Sequence, residues 1–564
     1  CEIAAYSNSI MPIWLLITVF VPILYLPGLG GFEALKIGLL LLASGLLLVL
    51  YLDQSYRQGE LVLLRPKTSL VIVGLLIYIV GRSFFTIAPN LTWLGSETSH
   101  LGAITWLGWL ILLLVAANTK ISAKGRLLLT MASTIALVGL LLSVLGQITH
   151  LSAVEWLSFD DPSRDRTLLG SIGSSSLLGV VLALYMVVIF VSGANIPPKW
   201  QPFIKILLII TGVTVIATKS LTGIIVIILV PLMWSNSLRH HLKTSYYWLL
   251  FLLILILPLL SPFITQPLTA TGWLPSLTDR LQLWQAGLQA VPEHPWFGRG
   301  ISLYQFDYDQ HFPNNRANQQ VVTEENPHSI IIGWLVEWGL IGTLFWGTMI
   351  YFWFRESRFT KQAAVVWLTI FVVIQLHYVI AASLLIILVS TFLTTDSTAQ
   401  TTRSLKMKGW LSIILFGIAT VWLCLTIITT YSYWQSAYRN NRVGDTTQTL
   451  DFAHATQQYR LALTQPLPLA FTQLQFAESY TNEAIKNNSF TDFSPVGEAL
   501  QQAIKGAPTA RHINISLAIL NEWSRHGFIE ANKLMQEQAR LFIGSYAAHP
   551  RYSALVAKLR QAGY

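Results

Sequence analysis

Two stretches of this sequence bring together residue types that can do chemistry. In TDRLQLWQAGLQAVPEHPWFGRG, Arg280 opens an apolar-patterned segment beside Asp279, and Pro295, Gly298 and Gly300 then supply turn chemistry. In TEENPHSIIIGWLVEWGLIG, His328 follows Pro327 where a long apolar run begins. An imidazole at a water–lipid boundary can be neutral at physiological pH and can take a proton from an attacking hydroxyl. Glu324 and Glu325, just before it, could orient the ring or act as alternative bases.

Anion-binding features accompany them. In FDDPSRDRTLLGSIGSSSLLG, Arg164 and Arg166 precede Gly170 and Gly173 at a predicted helix start. Free backbone N–H groups and the positive end of a helix dipole there suit a phosphate. TKSLTG puts Lys219 on a tight hairpin, and Arg82 lies within an otherwise apolar run. Ionisable groups inside spans are functional candidates by default.

The elements that must position these residues are membrane helices. Of 564 residues, 53% are apolar and 11% charged, and mean hydropathy is +0.55. Soluble domains carry about 25% charged residues, so a soluble enzyme is excluded. The uncharged runs 167–198, 244–278 and 362–395 far exceed the roughly 20 residues that cross a bilayer. Thirteen spans are predicted at 11–29, 34–52, 69–88, 102–118, 127–148, 171–192, 203–218, 221–236, 246–262, 329–352, 363–379, 381–395 and 409–431. The run 362–395 holds two of them, because one helix of that length would reach about 50 Å. Two cysteines, Cys1 and Cys424, give neither a disulfide framework nor a cysteine metal cluster. Cys424, inside an apolar run, reads as a small core residue.

The net charge of +9 is a topology signal and not a nucleic-acid footprint. Sixteen of the 24 Lys and Arg before Ser432 fall in alternate connections, around 57–67, 120–126, 199–205, 239–243, 355–361 and 403–408. The positive-inside rule makes these cytoplasmic, with the N-terminus inside and the thirteenth span leading out. The long connections 149–171 and 263–328 then lie outside, where loops of such length are usually functional. The amphipathic segment 277–290, with Leu281, Leu283, Trp284 and Leu288, is expected to lie along the membrane surface.

Three segments follow from these patterns. Residues 1–10 lack a basic n-region and read as an N-terminal extension. Residues 11–431 form the transmembrane part. Residues 432–564 are richer in charge and read as amphipathic helices over 446–464, 468–487, 494–506, 510–525, 528–546 and 551–562. They suggest a tetratricopeptide-like stack without a clean 34-residue period, placed by the topology outside the cytoplasm.

The outer-side motifs together resemble the O-antigen ligase superfamily, which includes O-antigen ligases, polymerases and bacterial protein O-oligosaccharyltransferases. The resemblance rests on Arg280-Leu281-Gln282-Leu283-Trp284 with His294-Pro295-Trp296-Phe297-Gly298-Arg299-Gly300, and on Pro327-His328-Ser329 with Glu337-Trp338-Gly339-Leu340-Ile341-Gly342. QLHYVIAASL adds a late outer hairpin with His377. The resemblance implies an all-α, glycosyltransferase C-like polytopic enzyme of a bacterial inner membrane, needing neither metal nor cofactor. It would move a glycan from undecaprenyl pyrophosphate to an acceptor hydroxyl on the periplasmic face, with inversion. By family pattern Arg166 and Arg280 hold the pyrophosphate, with Arg164 as a rival to Arg166 and with Lys219 and Arg82 as further cations. His328 acts on the hydroxyl, with Glu324, Glu325 and His377 in support.

The chain departs from the family in having Ser176 where Asn is usual, Leu221 where the hairpin usually has Arg, and PHS in place of PHN. An outer helical domain after an odd number of spans favours a protein acceptor, with pilin the leading class. The alternatives are a lipopolysaccharide O-antigen ligase or polymerase and, from another class, a lipid-linked glycan transporter or a binding scaffold. Transporters place ionisable groups near the midplane, whereas the unusual charges here collect at span ends.

Overall fold

The computed structural model describes residues 2–24, 32–96, 100–149, 172, 174–192, 196–234, 256–260, 275–311, 326–357, 361–376, 380–394, 403–407, 409–446, 470–486, 490, 492–546 and 553–564. It is an all-α polytopic architecture. The helices of the apolar part are α1 (Glu2–Ile23), α2 (Phe32–Arg57), α3 (Pro66–Ser83), α4 (Pro89–Leu94), α5 (Ala103–Asn118), α6 (Ala123–Thr149), α7 (Ser175–Ser192), α8 (Gln201–Ala217) and α9 (Leu221–Trp234). Then come α10 (Pro275–Ala290), α11 (Tyr304–His311), α12 (Ile330–Gly333), α13 (Gly339–Glu356), α14 (Lys361–Leu376), α15 (Ala381–Thr394) and α16 (Gly409–Thr446). Between α12 and α13 the residues Trp334–Trp338 form a π-helical turn.

Six described helices are long and apolar enough to cross a membrane: Glu33–Arg57, Pro66–Ser83, Ala123–Thr149, Pro198–Ala217, Ile330–Glu356 and Gly409–Gln435. Five shorter apolar helices accompany them. The span expected at 246–262 lies mostly outside the described residues. α1 carries residues 2–10 and the first span as one helix, so position 10 is no element boundary. α16 likewise runs past 431 to Thr446. Its 38 residues make a helix about 57 Å long, well beyond a hydrocarbon core about 30 Å thick.

The bundle has two distinguishable ends. At one, β1 (Glu60–Leu63) pairs antiparallel with β2 (Arg403–Lys406), a ribbon the sequence reading did not foresee. Arg65 beside it donates to the Ala117 carbonyl at 2.6 Å and the Ser357 hydroxyl at 3.0 Å, and stacks over Trp353. Burial lowers its pKa to about 10, so it remains charged. Glu356 accepts from the backbone N–H groups of Lys67 and Thr68. Four of the six basic connections thus gather at one end. α3 starts there and carries Tyr78 and Arg82 to the opposite end, since its 18 residues rise about 27 Å.

At that second end, the Tyr433 hydroxyl of α16 donates to the Leu94 carbonyl at 2.6 Å, and the Ser302 hydroxyl donates to the Leu101 carbonyl at 2.9 Å. Beyond α16 come α17 (Ala470–Lys486), α18 (Ser494–Gly506), α19 (Ala510–Arg525), α20 (Ile529–Tyr546) and α21 (Ser553–Gln561). They enclose their own core around Trp523, Leu500, Leu520 and Phe542. Ala507, just past α18, packs in a small cluster with Ala88, Leu91, Leu303 and Phe306. This helical segment therefore touches the same end of the bundle as Arg82.

Two expectations about burial are corrected. Cys424 is exposed on α16, because an apolar environment outside the bundle is as acceptable to a thiol as a protein core. The apolar face of α10 does not lie on lipid. Leu281, Leu283 and Trp284 pack against Tyr304, Tyr308, Ile332 and Val336, and Trp284 is fully buried. A neighbouring protein surface covers the pattern that alone would suit a membrane interface.

Candidate active site

The site is built from an interrupted helix and the turn that fills its interruption. In a continuous helix Leu340 N–H would bond the Val336 carbonyl and Ile341 N–H the Glu337 carbonyl. Instead Gly339, at φ +65°, breaks the path. Leu340 N–H donates to the Pro295 carbonyl at 2.8 Å and Ile341 N–H to the Trp296 carbonyl at 3.1 Å. In return Arg299 N–H donates to Val336 at 2.8 Å and Gly300 N–H to Glu337 at 3.0 Å. Two missing helical bonds become four bonds between the HPWFGRG turn and the EWGLIG break. Non-helical backbone at membrane depth needs such internal partners.

Glycine is required at both faces of this junction. A Cβ on Gly298, at φ +66°, would lie 2.4 Å from the Glu337 carbonyl carbon, and one on Gly339 would lie 2.3 Å from the Gly298 nitrogen. α3 clamps the junction from the side with two residues one turn apart. The Tyr78 hydroxyl donates to the Trp338 carbonyl at 2.5 Å. The Arg82 guanidinium donates to the carbonyls of Phe297 at 3.1 Å, Gly298 at 2.8 Å and Arg299 at 2.6 Å, and also to Phe85. Arg82 is thus spent mainly on backbone, a role no local pattern announced.

The charges behind the turn form a chain. Arg299 bonds Asp307 at 2.5 Å and Glu293 at 2.9 Å, and Glu293 meets His311 at 2.8 Å. Burial pushes the Asp307 carboxyl up to about 7 against the opposing pull of Arg299. Glu337 accepts from the backbone N–H groups of Ser302 and Tyr304 and so caps the start of α11. Asp307, Tyr78 and the structural use of Arg299 were not foreseen, because each acts through partners far away in sequence.

Arg280 and His328 differ from all of these. Arg280 is nine-tenths buried, and its Nη1 has no hydrogen-bond partner among the described residues. Burial lowers its pKa. His328 sits at φ +51°, a left-handed conformation uncommon for a non-glycine residue. Its backbone N–H bonds Asn326 at 3.2 Å, while Ser329 caps α12 and donates to Gln375 at 2.7 Å. Burial, then the nearby Arg280 charge, lower the His328 pKa to about 4. The two side chains that the motifs singled out are therefore neighbours, and the imidazole is neutral at physiological pH.

Two further motifs also meet. The TKSLTG hairpin joins α8 to α9 and packs on the Ser- and Gly-rich start of α7. The Ser220 hydroxyl donates to the Ser176 carbonyl at 3.0 Å, and a Cβ on Gly179 would lie 2.4 Å from both Ser220 and Thr218. Lys219, at φ +56°, is exposed at the tip. Arg164, Arg166, Glu324, Glu325 and His377 lie outside the described residues.

Residues 206–347 match the family model described as O-antigen ligase. The match opens in α8, closes in α13 and holds Lys219, Arg280, His328 and both halves of the junction. It upholds the resemblance to the O-antigen ligase-like superfamily drawn from those motifs. It also supports a glycosyl-transferring membrane enzyme of the O-antigen ligase or polymerase type. A lipid-linked glycan donor and a multi-pass location in an inner membrane accord with it. No curated protein matches the chain.

Proposed function

We propose that this chain is a protein O-oligosaccharyltransferase. It transfers an oligosaccharide from undecaprenyl pyrophosphate to a Ser or Thr hydroxyl of a periplasmic acceptor such as pilin. The observation carrying this reading is the buried Arg280 guanidinium, whose Nη1 has no partner among the described residues, beside a neutral His328. A buried cation with open hydrogen-bonding capacity is a receptor for an anion.

The acceptor oxygen attacks the anomeric carbon as its proton passes to the His328 imidazole. The bond from that carbon to the phosphate oxygen breaks on the opposite face, and the lipid pyrophosphate leaves with the electron pair. This is a single displacement with inversion. Arg280 stabilises the charge growing on the leaving group, where one such donor is worth about 3 kcal/mol. Donor binding also prepares the base. A pyrophosphate beside Arg280 offsets the positive charge that depresses the imidazole, and the His328 pKa rises toward the range useful for proton transfer. Arg166 or Arg164, with Lys219, would add positive charge on the donor side, while Glu324, Glu325 and His377 would support the base. The Tyr78–Arg82 clamp keeps the turn in place. No metal is called for in this scheme.

The protein-acceptor reading is supported by the helical segment 470–561, which packs through Ala507 beside Leu303 and Phe306 of the site-bearing region. The periplasmic placement of that segment, the thirteen-span topology and the cytoplasmic N-terminus belong to the same proposal. A lipopolysaccharide O-antigen ligase or polymerase is the second reading, favoured by the description of the matched family. Expression with pilin in a ligase-null host separates them. Glycosylated pilin, detected as intact mass, supports the proposal. Modified lipid A–core with unmodified pilin overturns it.

A further inference from the structure

Beside Arg280 and His328 stands a third buried polar group that the proposed reaction leaves unused. Gln375, one residue from the end of α14, is 2% exposed. Its Oε1 accepts the Ser329 hydroxyl at 2.7 Å, while its Nε2 has no hydrogen-bond partner among the described residues. Ser329 in turn accepts from the Ile332 N–H at 3.4 Å as the cap of α12. A hydroxyl has one proton to give, and here the carboxamide oxygen takes it. That fixes which end of the amide faces Ser329 and turns the NH2 group away from it.

Packing places that NH2 group at the site. Ser329 directly follows His328, and Leu376, directly after Gln375, packs against the cluster of Leu281, Trp284 and Ile332. Thus α10, α12 and α14 converge where Arg280, His328 and Gln375 stand. The helix end is tied on its other side as well. Six residues after Gln375, the Ala381 N–H that opens α15 donates to the buried Glu33 at 2.8 Å. A buried donor held without an acceptor is costly, as it is at Arg280.

The chemistry of the two donors differs. A guanidinium suits a diphosphate, whereas a neutral carboxamide suits a neutral oxygen. Apart from the ring oxygen and the reacting atoms, the nearest such oxygen to an anomeric carbon is the one carried at C2 of the sugar. Hydrogen bonds to it strengthen as the anomeric carbon takes on oxocarbenium-like charge in a glycosidic displacement.

We propose that Gln375 is a further substrate-binding residue, donating from Nε2 to the oxygen carried at C2 of the sugar being transferred. Ser329 is its positioning residue. The inference rests on the proposed function, because that reading sets an anomeric carbon between Arg280 and His328. Gln375 then selects the first sugar, while Arg280 and His328 serve any diphosphate-linked one.

The test uses the full chain in nanodiscs with two donors, glucose and 2-deoxyglucose on the same polyprenyl diphosphate. Gln375→Met keeps the side-chain volume, and Gln375→Ala removes it. Loss of the C2 oxygen also changes intrinsic reactivity, but equally for every variant, so the glucose-to-2-deoxyglucose ratio of kcat/KM is compared between variants. Each variant should lower that ratio about tenfold, chiefly through kcat. Ser329→Ala, which frees the amide, should lower it by a smaller factor. An equal loss with both donors, leaving the ratio at its wild-type value, overturns the inference and makes Gln375 a brace for Ser329. Binding gives a readout independent of turnover. The glucose donor should raise the wild-type melting temperature more than the 2-deoxy donor does, and the two should raise that of Gln375→Met equally. Absence of transfer from both donors defeats the proposed function; a wild-type difference in melting shift that Gln375→Met abolishes still upholds the contact, and equal wild-type shifts overturn it.

Discussion

The junction around Gly298 and Gly339 and the pair Arg280–His328 lie in the same region of the chain but treat their polar groups oppositely. At the junction, four backbone bonds replace the helical ones, and Arg82 donates to successive carbonyls. At the pair, a buried guanidinium keeps a nitrogen that has no partner among the described residues, and an imidazole occupies a left-handed backbone position. A buried donor without a partner costs about 1–3 kcal/mol, and more when charged. Saturated groups hold a fold together, while under the proposed function the unsatisfied buried one is kept for what it binds.

The sharpest way to break this comparison is to remove the pair. Arg280→Ala and His328→Ala should each reduce transfer by about 10²–10³-fold or more while the protein still inserts and resists heat as the wild type does. Loss of thermal stability in detergent to match the loss of activity would make both residues structural. Gly339→Ala should behave in the opposite way. Its φ of +65° and a Cβ 2.3 Å from the Gly298 nitrogen predict a loss of roughly 3 kcal/mol, read as a lower melting temperature, with activity falling only as folded protein is lost.

Arg82→Ala tests the clamp and should cost about 2–3 kcal/mol, with a fall in kcat larger than any rise in KM for the donor. A rise in donor KM alone would return Arg82 to direct pyrophosphate contact. The pH profile sharpens the account of His328. With its pKa near 4 in the free enzyme, the imidazole stays deprotonated as pH falls from 7 to 5, so kcat/KM should be nearly flat. An ordinary imidazole, with a pKa of about 6.5, would lose roughly twenty-five-fold over the same range. An acid limb near 6.5 would show that His328 is not the base or is not so buried. Lys219→Ala should have the smallest effect, a few-fold in donor KM, because the exposed ammonium is screened by solvent.

The legible parts of this molecule were local. Helices at Ser494–Gly506 and Ala510–Arg525 coincide with the stretches read from periodicity. Arg280 and His328 stood out because each combines a chemical group with turn-forming neighbours. What covers a pattern was not legible. The apolar face of α10 suits lipid and protein equally, and only its contact with Tyr304 and Ile332 distinguishes them. Tyr78 and Arg82 carried no signal of their role, because their partners lie more than 200 residues away. The β1–β2 ribbon was missed for the same reason, joining residues at 60–63 and 403–406.

Composition and hydropathy alone settled that this chain belongs in a membrane, since sixty-three charges among 564 residues leave too little polar surface for water. Residue type and spacing also singled out Arg280 and His328 as candidate site residues. Tertiary structure alone decided that those groups are neighbours and that the break at Gly339 is filled by a turn some forty residues earlier. The reason is physical: hydropathy is a property each residue carries by itself, whereas a hydrogen-bond partner exists only between segments once they have packed.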